Sequence, residues 1–76
     1  MRSTIKAYIS PGDTHYMAEC LEIGVVTQGK TVDETIANLK EAVALFLEGE
    51  DPSDYDLVAS PSLLITAAGK PFAQYG

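Results

Sequence analysis

A single amphipathic stretch, residues 31–49, limits what this chain can fold into. Thr31 and Glu34 have the spacing of a capping box, in which the hydroxyl accepts from the Glu34 amide and the carboxylate reaches back. Gly49 is expected to end the helix in the left-handed conformation. One helical face carries the apolar residues Val32, Ile36, Leu39, Val43 and Phe46. A lone helix cannot bury such a face, so the pattern predicts a helix that covers a sheet.

Four other segments have the composition of β-strands. Residues 3–10 and 14–20 alternate apolar and polar side chains around a Pro-Gly-Asp turn, and residues 25–28 are rich in β-branched side chains. These three segments predict an antiparallel three-stranded meander. Residues 61–68 predict a fourth strand after the acidic, turn-rich segment 50–61. The expected fold class is therefore α+β, in the order β-β-β-α-β, with one covering helix.

The length of the chain, 76 residues, fits one compact domain over residues 1–76. A domain this small buries little surface, and such chains often add a disulfide, a metal or a partner subunit. Cys20 is the only cysteine, so it can form no internal disulfide. Because His15 is the only histidine, a structural zinc site of the usual Cys/His kind is not expected. We therefore expect a homodimer or a homotetramer.

The charge balance narrows the class of partner. Lys and Arg number 5 against 11 Asp and Glu, which gives a formal net charge of −6. Such a surface repels a phosphate backbone, so no direct nucleic-acid binding is expected. It suits a basic protein partner, although acidity also serves solubility. Because no apolar run approaches the ~18 residues of a membrane-spanning helix, and no signal peptide is recognisable, we expect no membrane partner and a cytoplasmic location.

Residue types that carry catalysis are present, but not in a catalytic pattern. Cys20 and His15 are expected on opposite faces of one strand, where they cannot pair as nucleophile and base. Residues 24–31 match the P-loop pattern, but their middle has the composition of a strand rather than of a phosphate-binding loop. We therefore expect that the protein is not an enzyme and that it binds neither a cofactor nor a metal ion. A metal-dependent nuclease that uses Glu19 and Glu22 is the remaining catalytic alternative.

The sheet face away from the helix is the candidate partner surface. Tyr8 and Met17 are expected there, and they would form an exposed apolar patch unless something covers them. The predicted partner-binding residues, on this face and in the following loop, are Tyr8, His15, Met17, Glu19 and Glu22. The tail, residues 72–76, carries two aromatic residues that we expect to pack against a neighbouring subunit.

Residues around the strand-to-helix turn have the types and the spacing that are typical of a known family. These residues are Thr27, Gln28, Gly29, Thr31, Glu34, Asn38, Leu39, Glu41 and Ala42. Together with them, the segment from Tyr16 to Val43 closely resembles the HicB-like antitoxin family. With the strands on each side, the resemblance covers most of residues 3–50. It also accounts for the P-loop match, because the glycine before Lys30 belongs to this family's turn.

The resemblance implies both a fold and a function. Family members are described as partial ribonuclease H-like, commonly form dimers or tetramers, and neutralise a small basic toxin that cleaves messenger RNA. The toxin has a double-stranded-RNA-binding-like fold and a catalytic histidine, which the antitoxin masks. Residues 50–76 leave little room for the C-terminal DNA-binding domain of many members, so the chain resembles a short stand-alone form. Residues 21–24 also lack the prolines of the family's turn before the third strand.

The predicted function is therefore binding rather than catalysis. The resemblance implies an antitoxin that masks the active site of a basic toxin ribonuclease, and the acidic balance agrees with such a partner. The alternative is a stand-alone homo-oligomeric domain of unknown role, such as a small-molecule or peptide sensor, with no toxin partner.

Overall fold

The computed structural model describes residues 1–67 and, for the backbone alone, residues 70–75. These parts of the chain form five strands, one α-helix and one 3-10 turn. The strands are β1 (Arg2–Pro11), β2 (Tyr16–Cys20), β3 (Val25–Gly29), β4 (Leu57–Ala67) and β5 (Lys70–Tyr75). Helix α1 spans Val32–Gly49, and the 3-10 turn spans Pro52–Tyr55.

The five strands form one mixed sheet in the order β3-β2-β1-β4-β5. The antiparallel pairs β1–β2 and β2–β3 confirm the predicted meander. Strand β4 pairs parallel to β1, and β5 pairs antiparallel to β4. The α+β class and the predicted order β-β-β-α-β are thereby confirmed, and β5 is added after them. The prediction for the aromatic side chains of residues 72–76 falls outside the described residues.

The starts of β2 and β4 differ from the sequence-based prediction by more than a single residue. Strand β2 begins at Tyr16 rather than at residue 14, because the chain is still turning from residue 13 to residue 15. Strand β4 begins at Leu57 rather than at residue 61. Its start is held against β1 by the Arg2 amide, which donates to the carbonyl of Asp56 at 2.7 Å. Pairing with a distant strand thus extends β4 into a segment whose local composition favours a turn.

The predicted capping box starts α1. The Glu34 amide donates to the Thr31 hydroxyl at 3.0 Å, and the Glu34 carboxylate accepts from the Lys30 amide at 3.1 Å. The helix end differs from the prediction, because Gly49 is not in the left-handed conformation and is still helical. The helix ends when Glu50 becomes extended (φ −129°), with its amide donating to the Phe46 carbonyl. The prediction of a left-handed glycine terminator was wrong.

At the joint between β3 and α1, where Gly29 meets the first turn of the helix, the two backbones lie unusually close together. A Cβ atom on Gly29 would lie 2.6 Å from the Thr35 amide nitrogen and 2.7 Å from the Thr35 hydroxyl. Thr35 is fully buried and donates its hydroxyl proton to the Thr31 carbonyl. Asn38, one turn further along α1, donates its side-chain amide to the Gln28 carbonyl at 2.8 Å. These contacts fix the first two turns of α1 against the end of β3.

Helix α1 packs on one face of the sheet, over β2 and β3. The buried core between them and along β1 and β4 consists of Ile5, Ala7, Ile9, Ala18, Cys20, Ile23, Ile36, Leu39, Val43, Leu57, Leu63 and Ile65. Phe46 extends this core through an edge-to-face contact with Tyr55, with ring centroids 5.0 Å apart. Of the apolar face predicted for α1, Ile36, Leu39 and Val43 are buried in this core, and Val32 and Phe46 pack against it. In the described part of the chain no helix is long and apolar enough to cross a membrane.

Candidate functional site

A shallow groove lies on the sheet face that α1 does not cover, which we call the open face. The groove has a volume of about 220 Å³ and is lined by Tyr8, Ser10, Met17, Glu19 and Val26. Three strands contribute to it because their registers place these residues side by side. Tyr8 is opposite Glu19, Ser10 is opposite Met17, and Glu19 is opposite Val26. Residues at matched positions of paired strands project from the same side, so the five side chains share one surface.

The groove is apolar for a solvent-facing surface. Tyr8 is 47% exposed, Met17 45% and Val26 55%. Leu64 of β4 continues the same face, since it is paired with Lys6 of β1, and is half-buried. Adjacent exposed apolar side chains of this kind are typical of interaction surfaces, because contact with water is unfavourable for each of them. The open face is therefore the candidate binding surface of the protein.

Among the described residues that line the groove, Glu19 alone is charged. Its carboxylate makes no hydrogen bond or ion pair with any described residue. Lys6, which projects from the same face, lies beyond ion-pair distance. The Glu19 carboxylate is therefore available to a donor from another molecule.

Glu22 was predicted beside Glu19, but the structure gives it contacts within the fold. Its carboxylate pairs with the Arg2 guanidinium at 2.8 Å and accepts from the Lys6 amide at 2.7 Å. The turn after β2 folds back along β1, beyond the last residues that β1 pairs with β2. Glu22 thereby satisfies a backbone donor that would otherwise lie on an unpaired strand edge. It does not line the groove, and its predicted role in partner binding stays a prediction.

His15 also lies outside the groove. It sits in the bend between β1 and β2 rather than in a strand, and its Nδ1 is 2.8 Å from the Thr14 hydroxyl. Its carbonyl accepts from the Gly12 amide at 2.7 Å, which closes the bend. The strand position predicted for His15 was wrong, because tight turning continues up to residue 15. The structure therefore brings together three of the five predicted residues, Tyr8, Met17 and Glu19.

Two groove residues, Ser10 and Val26, were not among the predicted partner-binding residues. The alternation of side chains along a strand predicts the face on which each of them lies. Ser10 projects from the same face of β1 as Tyr8, and Val26 projects from the opposite face of β3 to Val25. Their proximity to Met17 and Glu19 depends on the β1–β2 and β2–β3 registers. The sequence feature that could have identified Val26 is its position between Val25 and Thr27, which are less exposed and lie on the opposite face of β3.

The residues of the family resemblance lie mainly at the joint between β3 and α1. Gly29, Thr31, Glu34 and Asn38 all make or permit the contacts that seat the helix. None of them lines the groove. The residues that match a P-loop include all of β3, and the buried Gly29 contacts the helix rather than open space. A phosphate-binding loop therefore has no structural counterpart here.

Cys20 belongs to the buried core. Cys20 is fully buried beneath α1, and burial, together with the charges of Glu22 and Glu19, raises the pKa of its thiol to about 11. The thiol is therefore protonated near neutral pH and packs as a small apolar group. In the described residues no three His, Cys, Asp or Glu side chains come together as a metal site would require.

The raised pKa of Cys20 predicts a pH dependence of stability. An unfolded chain ionises its thiol near pH 9, whereas the folded chain keeps the proton until about pH 11. The free energy of unfolding should therefore fall as the pH rises from 9 to 11, because the unfolded state then binds fewer protons. Urea denaturation at about pH 8 and about pH 10 measures this loss. Cys20→Ala should lose less stability over the same interval, and an equal loss in both proteins would contradict the prediction.

Comparison with known proteins adds no family assignment. No family model, no curated protein and no solved structure matches this chain. The resemblance to HicB-like antitoxins and the partial ribonuclease H-like description stay predictions that rest on the residues named above.

Proposed function

We propose that this protein is an antitoxin-like binding protein that neutralises a small basic, mRNA-cleaving toxin by masking its active site. It acts by binding in the cytoplasm, without catalysis of its own. The observation that carries the binding role is the open face, where Tyr8, Met17 and Val26 surround an unpaired carboxylate. Protein interfaces combine this kind of apolar centre with a small number of placed polar groups.

The class of partner is supported by charge and by the family resemblance. A net charge of −6 attracts a basic protein and accelerates its encounter with the acidic one. A ribonuclease that binds RNA carries such a basic surface. The segment from Tyr16 to Val43 resembles HicB-like antitoxins, and this resemblance suggests that the partner is a toxin ribonuclease. The groove is the surface that we propose binds the toxin next to its active site.

Co-expression tests this proposal. The candidate toxin is a small basic protein encoded beside this chain, expressed alone and then together with tagged wild-type protein. We expect the wild-type protein to relieve growth arrest and to co-purify with the toxin. Val26→Lys should abolish both effects, because it places a positive charge and a longer side chain in the groove. Failure of the wild-type protein both to relieve the arrest and to co-purify would refute the proposal.

Leu45→Lys is the matched control for that substitution. Leu45 is an aliphatic residue of similar exposure, 61% against 55% for Val26, but it lies on the helix rather than on the open face. It should leave rescue and co-purification unchanged. Loss of binding in Leu45→Lys but not in Val26→Lys would locate the partner on the helix face and contradict the assigned surface.

Self-association is the second candidate function, and the same exposed apolar face favours it. A copy of the chain seated on the open face would bury Tyr8, Met17 and Val26 in both subunits. This candidate predicts a dimer or tetramer by light scattering at micromolar concentration, a monomer for Val26→Lys, and no toxin in the co-purification. A monomeric wild-type protein would exclude it.

A further inference from the structure

The groove on the open face contains the separate elements that an arginine side chain requires. A carboxylate accepts the N–H groups of a guanidinium, an aromatic ring stacks on its plane, and apolar side chains cover its methylene stem. Glu19, Tyr8 and the pair Met17 and Val26 provide these three kinds of contact within a single groove. Ser10 adds a hydroxyl that can accept a further N–H.

We propose that this groove binds an arginine side chain of a protein partner, with the guanidinium at Glu19 and the stem against Tyr8, Met17 and Val26. The inference rests on the proposed function, since it names the chemistry by which the basic partner is held. Lysine fits less well, because its ammonium group is compact, strongly hydrated and unable to stack as a plane on Tyr8.

The state of Glu19 supports this assignment. The two glutamates near the second strand differ sharply, since Glu22 is 17% exposed and fully engaged by Arg2 and the Lys6 amide. The Glu19 carboxylate makes no hydrogen bond or ion pair with any described residue. The attraction between a carboxylate and a cation is stronger beside apolar side chains than in open water, because less solvent surrounds the bound pair.

The arginine must come from a different protein rather than from a second copy of this chain. Arg2 is the only arginine in the sequence. Its guanidinium donates to the Glu22 carboxylate at 2.8 Å and to the Tyr55 carbonyl at 3.0 Å, which holds the N-terminus against the fold. A second copy would have to break these contacts to offer it.

Peptide titration followed by NMR tests the proposal. The probe is the capped tripeptide acetyl-Gly-Arg-Gly-amide, added to isotopically labelled protein. Its comparison is the citrulline analogue, in which a neutral group of the same shape replaces the guanidinium. We expect the amide signals of Tyr8, Met17 and Val26 to shift with the arginine peptide, with a Kd on the order of millimolar. The citrulline peptide should bind roughly tenfold more weakly.

Glu19→Gln is the decisive variant, and Glu41→Gln is its matched control. Glu19→Gln should weaken the arginine peptide roughly tenfold, because the charge-assisted hydrogen bond is lost while the shape of the side chain is kept. Glu41 is exposed on α1, so Glu41→Gln should bind as the wild-type protein does. The proposal would be overturned by no shift at the groove, by equal affinity for the arginine and citrulline peptides, or by unchanged affinity in Glu19→Gln.

Two results separate this inference from the proposed function. If the arginine peptide binds as expected but no toxin co-purifies, the proposed function fails while the groove assignment stands. If the toxin co-purifies equally with the wild-type protein and with Glu19→Gln, and the peptide does not shift the groove signals, the groove assignment fails while the proposed function stands.

Discussion

Replacing Gly29 with alanine is expected to destabilise this protein by roughly 3 kcal/mol. The new Cβ would lie 2.6 Å from the Thr35 amide nitrogen and 2.9 Å from the Thr35 Cα. Both atoms belong to the backbone of the first turn of α1, so no side chain can rotate away to make room. The helix would have to move off β3, and the hydrogen bond from Asn38 to the Gln28 carbonyl would be strained with it.

The measurement for Gly29→Ala is the midpoint of urea denaturation, and Gly49→Ala is the control. Gly49 lies in α1, where a Cβ would meet no atom within 4 Å, and its φ is not positive. Alanine there should stabilise the helix by about 0.5–1 kcal/mol, because glycine is the poorer helix former. Equal midpoints for Gly29→Ala and the wild-type protein would show that the joint between β3 and α1 is not rigid.

Truncating Leu39 to alanine is expected to cost about 3–4 kcal/mol. Leu39 is fully buried at the centre of the only layer that covers the sheet in the described residues. Removing its side chain leaves a cavity between α1 and the sheet that a helix tied to β3 cannot close. A domain of this length has roughly 4–11 kcal/mol of total stability, so Leu39→Ala should leave a substantial unfolded fraction in mild denaturant.

Leu45→Ala separates this packing effect from the helix propensity of the substitution. The same change is made in the same helix, but Leu45 is 61% exposed and loses little buried surface. We expect a change within about 0.5 kcal/mol, measured by the same urea denaturation. Comparable losses for Leu39→Ala and Leu45→Ala would place the apolar contact of α1 on another face and contradict the observed packing.

Gly29→Ala and Leu39→Ala change no residue of the groove, so they can affect the open face only by destabilising or distorting the fold. Gly29 ends β3, and Val26 of the groove lies on the same strand. A shift of α1 therefore disturbs the edge strand that carries one wall of the groove. Val26→Lys acts on the groove directly, so its loss of binding should occur without a change in the urea midpoint. Stability measurements thus tell a structural defect from a binding defect.

Most of the elements could be predicted from the sequence because their signals are local. The capping box from Thr31 to Glu34 set the start of α1, and the apolar stripe through Leu39 identified its buried face. Alternation along residues 3–10 separated Tyr8 from the core residues of β1. The end of α1 at Gly49 was predicted correctly, but its conformation was not, because Gly49 stays helical and the chain leaves the helix extended at Glu50.

The candidate site was predictable only in part. Tyr8, Met17 and Glu19 were placed on the open face by alternation alone, since neighbouring residues of a strand project to opposite sides. His15 was misplaced because the boundary between the bend and β2 depends on the contact of the Gly12 amide with its carbonyl. Glu22 was grouped with Glu19 by nearness in sequence, although the turn carries it back to Arg2.

The sequence by itself determined the elements from β1 to β4, the buried faces of these elements and the acidic charge of the chain, but not β5. Each of these depends on a repeat of two or 3.6 residues, or on a capping residue within one turn. Only the tertiary structure decided that β4 runs parallel beside β1 and that Tyr8, Glu19 and Val26 stand in one row across three strands. Strand order and register are set by contacts between distant segments, whose energies no local pattern contains.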